Sequence, residues 1–128
     1  MTEEEGFTAF ISLGSNIGDK AGYCRKGIDG LAATPRTVIT ARSRFYRTAP
    51  VDYTDQDWFV NAVVRIRTLL APSALLARIA SVERAAGRER KGVRFGPRTL
   101  DMDILLFEDR IIETPELTLP HPDRKSVV

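Results

Sequence analysis

The chain has 128 residues, in which 19 lysines and arginines stand against 17 aspartates and glutamates, so its net charge is +2. This balance excludes a polycation that binds nucleic acid by charge alone, and the length suits one domain with its own core. One cysteine cannot form an internal disulfide, no apolar run reaches the roughly 20 residues of a membrane helix, and the acidic N-terminus is unlike a signal peptide. We therefore expect a single cytoplasmic domain over residues 1–128.

The first part of the chain predicts two strands separated by a helix. The first strand covers 7–13 and ends at a Gly-Ser-Asn turn, after which Asp19 is a suitable N-cap for the helix. Apolar residues at i, i+4 and i+7 give this helix one buried stripe, and Thr34-Pro35 ends it. β-Branched and aromatic residues then predict a second strand over 37–46.

The third predicted strand, 58–70, has two chemically different faces. One face is apolar throughout, whereas the other becomes polar along its length. The apolar face consists of Val60, Ala62, Val64 and Ile66, and the other of Phe59, Asn61, Val63, Arg65 and Arg67. An aromatic ring and an amide two residues apart can stack on a flat heterocycle and hydrogen-bond its edge. The alternative is a half-exposed ring beside a surface amide.

A second helix and a basic segment follow. Pro72 suits the first turn of the helix, and Gly87 suits its end. Glu83 falls on the apolar stripe of this helix, so its carboxylate lies either at the rim or at a ligand. The stretch 84–98 holds six basic residues separated by glycines, a composition that suits a mobile lid over an anion. The alternatives are a solvated loop and a non-specific nucleic-acid patch.

The stretch 94–106, RFGPRTLDMDILL, is a turn followed by a strand that carries two aspartates. Strict alternation places Asp101 and Asp103 on one face with Leu105 and Phe107, and it places Leu100, Met102, Ile104 and Leu106 on the other. Neighbouring carboxylates repel each other and call for a cation, and oxygen ligands without nearby Cys or His favour magnesium. Arg98, just before this strand, suits a polyphosphate substrate. The alternative is a strand end paired with arginines.

The order β-α-β-β-α-β plus a short strand predicts an α+β fold, a ferredoxin-like sandwich in which helices cover one face of an antiparallel sheet. The other face is then open to ligands. His121, the single histidine, lies between two prolines in a predicted extended segment. A lone histidine is more often structural than catalytic, but this one is not on a helix or strand face.

Five segments in order, FISLGSNIGD, FYRTAP, FVNAV, GPRTLDMDIL and LPHP, resemble the 6-hydroxymethyl-7,8-dihydropterin pyrophosphokinase family of folate biosynthesis. The resemblance implies the ferredoxin-like fold and transfer of diphosphate from ATP to the pterin hydroxymethyl group, with release of AMP. It also implies two Mg²⁺ ions, ATP as co-substrate, and no nucleic-acid or membrane partner. We expect a monomer; fusion to another folate enzyme, as in some members of the family, is the alternative.

The resemblance assigns roles to residues at matching positions. The Mg²⁺ ligands are Asp101 and Asp103, and the other residues implied in catalysis are Arg88 and Arg98. The implied pterin contacts are Thr48, Val51, Phe59, Asn61 and Phe95. The implied ATP contacts are Glu83, Arg90, Arg98, Ile104, Thr118 and His121.

The chain departs from the family pattern in several places, among them Ala80 and Glu116, which stand where some members carry polar or basic ATP contacts. Phe95 stands where many members have tryptophan, which keeps a flat ring but loses the indole N–H. The family continues after its His-Pro motif with an arginine, a second pterin-stacking aromatic and a further strand, whereas this sequence has only DRKSVV after residue 122. The expectation is a shortened domain. Two alternatives to the active enzyme are a nucleotide- and Mg²⁺-binding form with little activity and a ferredoxin-like RNA-binding module.

Overall fold

The computed structural model of the chain describes residues 6–49, 58–87, 99–108, 112–113 and 117–119. Its helices and strands follow the predicted order. The helices are α1 (Lys20–Ala32) and α2 (Pro72–Ala85). The strands are β1 (Phe7–Ser15), β2 (Thr37–Arg42), β3 (Tyr46–Thr48), β4 (Phe59–Thr68), β5 (Asp101–Phe107), β6 (Ile112–Glu113) and β7 (Thr118–Leu119).

The main sheet is antiparallel and has the strand order β2-β4-β1-β5, with β3 also pairing with β4. This order confirms the predicted α+β, ferredoxin-like arrangement. The strand predicted over 37–46 is in fact divided into β2 and β3, which pair with different parts of β4. β6 and β7 form a separate two-stranded sheet.

The helix ends follow from local chemistry. The Asp19 side chain accepts a hydrogen bond from the backbone N–H of Gly22 at 3.1 Å, which satisfies one of the free donors in the first turn of α1. Pro72 occupies the first turn of α2, where its missing N–H costs no hydrogen bond. Gly87 has a φ of 87°, a left-handed conformation that terminates the helix at little steric cost. None of the helices in the described ranges is long and apolar enough to span a membrane.

The core lies between the two helices and one face of the sheet. Its fully buried members come from β1, β4, β5 and both helices, and each such side chain contributes roughly 1.5–3 kcal/mol through burial. The larger ones include Ile11, Leu13, Leu31, Val64, Ile66, Leu75, Ile79, Ile104 and Phe107. Because this face is covered, ligands can reach only the opposite face and the edges of the sheet.

The predicted alternation along β5 is wrong beyond Ile104. β1 pairs Ile11 with Ile104 and Phe10 with Leu106, so Leu105 is an extra residue that forms a bulge. The bulge reverses the alternation, and Phe107 therefore lies in the core with Ile104 instead of on the aspartate face. Leu106 changes sides in the same way. Asp101 and Asp103 precede the bulge and keep the shared face that was predicted.

Candidate active site

The face of the sheet opposite the helices carries the polar residues predicted to form the site, and we call it the open face. Residues directly opposite each other in antiparallel strands share a face. One cross-strand row runs Tyr46, Asn61, Gly14, Asp101 across β3, β4, β1 and β5. The next row runs Val63, Ser12, Asp103 across β4, β1 and β5. The register therefore joins the aromatic-amide pair of β4 to the aspartate pair of β5.

The candidate pterin end of the open face is built around Asn61. Its side-chain Nδ2 donates a hydrogen bond to the Thr48 hydroxyl at 2.7 Å, which fixes the orientation of the amide. Phe59 lies opposite Thr48 and is half-buried, so its ring is held beside the same amide. The structure thus brings together three of the five residues implied in pterin binding, and it does so through the pairing of β3 with β4.

Asp101 and Asp103 lie at the start of β5, and both are half-buried. Their side chains share the open face and their Cα atoms are about 7 Å apart along the strand. Mg²⁺ in phosphoryl-transfer sites is commonly held by one or two carboxylates and completed by substrate phosphates and water. Within the described ranges no cluster of three or more Asp, Glu, His or Cys side chains could hold a metal. The aspartate pair supplies oxygen ligands of the type that Mg²⁺ takes, and the metal role of the two residues stays a prediction.

Glu83, a predicted ATP contact, is buried and hydrogen-bonded to the aspartate strand. Its side chain is only 7% exposed, and its Oε2 accepts a hydrogen bond from the backbone N–H of Met102 at 2.9 Å. Met102 is the residue between the two aspartates. The carboxylate thus links α2 to the aspartate strand from the helix-covered side, and its contact with ATP stays a prediction.

Ile104 also lies on the covered side, with 2% of its surface exposed. Alternate residues of a strand direct their backbone groups toward the same edge, so the backbone of Ile104 faces the same edge as that of Met102. With its side chain buried, Ile104 has only its backbone available for a ligand at this edge, and its contact with ATP stays a prediction. Thr118 pairs with Glu113 in the small sheet.

Six residues implied in binding or catalysis lie outside the described residues, and their roles stay predictions. They are Val51, Arg88, Arg90, Phe95, Arg98 and His121.

Sequence reasoning missed two residues of the central row. Gly14 was interpreted only as part of a turn, and Tyr46 only as a strand residue, yet they flank Asn61 on either side. Burial raises the pKa of the Tyr46 hydroxyl above its ordinary value. The composition of either segment contains no signal for this placement, because it depends on how β1 and β3 align with β4.

Comparison with known proteins gives one matching family and several curated relatives. The sequence profile described as 7,8-dihydro-6-hydroxymethylpterin-pyrophosphokinase matches residues 10–127. A protein of Methylorubrum extorquens named 2-amino-4-hydroxy-6-hydroxymethyldihydropteridine pyrophosphokinase is 49% identical over 113 residues, which cover 88% of this chain and 71% of that protein. A Bacillus subtilis protein of the same name is 46% identical over 114 residues, 89% of this chain and 68% of the relative.

A third relative has a different domain organisation. The bifunctional protein FolKE of Lactococcus lactis subsp. lactis is 40% identical over 116 residues, which are 91% of this chain but only 33% of that protein. The matched region can therefore be one part of a longer polypeptide.

Proposed function

We propose roles for the site residues on the premise that the chain belongs to the 7,8-dihydro-6-hydroxymethylpterin-pyrophosphokinase family, as the match over residues 10–127 establishes. It is an ATP-dependent pyrophosphokinase of folate biosynthesis, which transfers diphosphate to the hydroxymethyl group of 6-hydroxymethyl-7,8-dihydropterin. Because the β- and γ-phosphates leave ATP together, the second product is AMP.

The observation that carries the residue assignments is the cross-strand row of the open face. Asn61 and Asp101 are both partners of Gly14, on opposite sides of β1. Two strand spacings separate their Cα atoms by about 10 Å. A heterocycle held by β4 and a triphosphate held at β5 would therefore meet over β1, with their reacting groups side by side.

The pterin is bound by the β3–β4 end of the row. Phe59 stacks on one face of the ring, and Asn61, oriented by Thr48, hydrogen-bonds the ring edge. Val51 and Phe95 complete this half-site. Holding the ring at two points fixes the hydroxymethyl oxygen in one direction, and such orientation removes a large part of the entropic barrier to a transfer between two substrates.

The triphosphate is bound by the β5 end of the row. Asp101 and Asp103 hold Mg²⁺, which when bound neutralises phosphate charge and favours attack at phosphorus. The proposal includes two Mg²⁺ ions. Arg88 and Arg98 stabilise the charge that develops on the transferred group, and Arg90, Ile104, Thr118 and His121 contact ATP.

Two further properties belong to this proposal. The chain acts as a monomer, and it does not bind nucleic acid, because the aspartates of the open face would repel a phosphate backbone in the absence of metal. Location in the cytoplasm, predicted from the sequence, belongs to the same proposal.

The direct test is formation of AMP from ATP by the purified chain. We expect AMP that depends on both magnesium and the hydroxymethyl-dihydropterin, and a pterin diphosphate product in equal amount. Release of ADP, or AMP that forms equally without the pterin, would show a different reaction. Folded protein that binds ATP and Mg²⁺ but makes no AMP would identify the form with little activity.

A further inference from the structure

Gly14 occupies the centre of the site row, in the middle of the sheet. It pairs with Asn61 on one side and with Asp101 on the other. Its backbone is not in the left-handed conformation that favours glycine, since the positive-φ glycines of the described residues are Gly6, Gly18 and Gly87. A glycine inside a strand costs roughly 0.5–1 kcal/mol relative to alanine, and at such a position alanine is normally the more stable choice. The conformation of β1 therefore gives no reason for glycine here.

The reason lies in the side chains that crowd this position. A Cβ atom on residue 14 would lie 2.9 Å from Oδ1 of Asn61 and 3.6 Å from Cδ1 of Phe59. A distance of 2.9 Å is shorter than real Cβ contacts, so Asn61 would have to move. The movement is restricted because Nδ2 of the same amide donates the 2.7 Å hydrogen bond to Thr48.

We propose that Gly14 is a positioning residue for the pterin, and that its missing side chain is what allows Asn61 to keep its working orientation. The inference rests on the proposed pterin role of Asn61. Nδ2 of Asn61 is held by Thr48, and Oδ1 therefore lies over Gly14 of β1. On its other side, β1 pairs with β5, which carries Asp101. Gly14 also leaves the surface between the two half-sites flat, so the hydroxymethyl group can extend from the pterin site toward the metal-bound phosphates.

The test is the variant Gly14→Ala, measured with each substrate varied separately. Because a displacement near 1 Å can lower the rate about a hundredfold, we expect kcat/KM for the pterin to fall roughly tenfold to a hundredfold. KM for ATP should stay within about twofold of the wild-type value, because the three atoms nearest to the new Cβ belong to Asn61 and Phe59 and not to the aspartates. A fall in kcat/KM for the pterin with unchanged KM for ATP indicates a positioning role, since general loss of structure would alter the values for both substrates.

Gly30→Ala is the matched control. Its new Cβ would lie 2.6 Å from Cγ1 of Val82, between α1 and α2, so this variant is also overpacked but away from the open face. It should lose thermal stability while KM for the pterin stays unchanged. If Gly14→Ala and Gly30→Ala alter the two KM values alike, the effect of Gly14 is structural only and the inference is wrong.

Two further measurements test the inference if Gly14→Ala does not fold or if the wild-type chain is inactive. If Gly14→Ala does not fold, the double variant Gly14→Ala/Asn61→Ala should fold, because Oδ1 is then absent. If the wild-type chain makes no pterin-dependent AMP, the side-chain amide resonances of Asn61 in ¹H–¹⁵N NMR spectra still report its position without substrate. They should shift in Gly14→Ala and not in Gly30→Ala. Unshifted Asn61 resonances would overturn the role of Gly14 whether or not the chain is active.

Discussion

The two faces of one sheet are built from the same strands but place different demands on sequence. On the covered face, β1 contributes Ile11 and Leu13 to the core, and β5 contributes Ile104. On the open face, the same strands contribute Ser12, Gly14 and Asp101. A core position needs an apolar side chain of suitable volume, so several residues satisfy it at modest cost. The open face instead depends on particular atoms at particular distances, such as the amide of Asn61 beside Gly14.

The largest expected difference between the faces comes from the aspartates. Asp101→Asn and Asp103→Asn remove a charge that the metal requires, and losses of about 10²–10³-fold in kcat are typical when such a stabilising group is removed. Thermal unfolding should change little, because neither side chain belongs to the core. The check is Mg²⁺-dependent AMP formation together with the melting temperature of each variant. Wild-type turnover in either variant would refute the metal role.

The covered face should give the opposite result. Ile66 is fully buried in β4, and Ile66→Ala should lower the free energy of unfolding by about 2–5 kcal/mol through lost burial and a cavity. Denaturant titration measures the loss. At a temperature where the variant is still folded, KM for both substrates should match the wild type. A changed pterin KM without loss of stability would mean that the two faces are not separable in this way.

Substitution of Glu83 tests whether the covered face supports the aspartates of the open face, because this side chain contacts β5 from the helix side. Glu83→Leu leaves the Met102 N–H without this acceptor, and an unsatisfied buried group costs about 1–3 kcal/mol. Glu83→Gln is the control, since its amide oxygen can accept the same hydrogen bond. We expect the leucine variant to be less stable and to bind Mg²⁺ more weakly, and the glutamine variant to retain most of both. Raised KM for ATP in both variants at unchanged stability would instead support a direct ATP contact.

The smallest expected effect is on the pH dependence of stability and concerns Cys24 of α1, which packs against the covered side of β4. Burial raises the pKa of this thiol from 9.0 to about 11, and the thiol lies 3.4 Å from the carbonyl oxygen of Val60. The unfolded chain ionises the thiol at lower pH than the folded chain. The contribution of this group to stability is therefore complete below pH 9 and is lost as the pH rises toward 11. Relative to Cys24→Ala, the wild type should lose more stability between pH 8 and 10.5, and parallel curves would contradict the assignment.

Much of the fold was predictable because periodicity and capping are local. The faces of β4 followed from alternation alone, and Asp19, Pro72 and Gly87 fix the helix ends as expected. The bulge at Leu105 was not predictable, since it arises from pairing with β1. It moved Phe107 into the core and Leu106 out of it.

The candidate site shows the same division. Alternation placed Phe59 and Asn61 together, and Asp101 and Asp103 together, but it could not say that the two pairs share neighbouring rows. That depends on the register of β1, which also determines the environment of Gly14. The burial of Glu83 against Met102 is a tertiary contact between distant segments, so helical periodicity left its role open.

The most direct test of the central claim is where a paramagnetic ion binds. Mn²⁺ with a non-hydrolysable ATP analogue should broaden the backbone amide NMR signals most strongly at Asp101, Asp103 and Gly14, and progressively less toward α1 and α2. The double variant Asp101→Asn/Asp103→Asn should lose this pattern while keeping its dispersed spectrum. Broadening that is centred on another surface, or that persists unchanged in the double variant, would contradict a metal site on the open face.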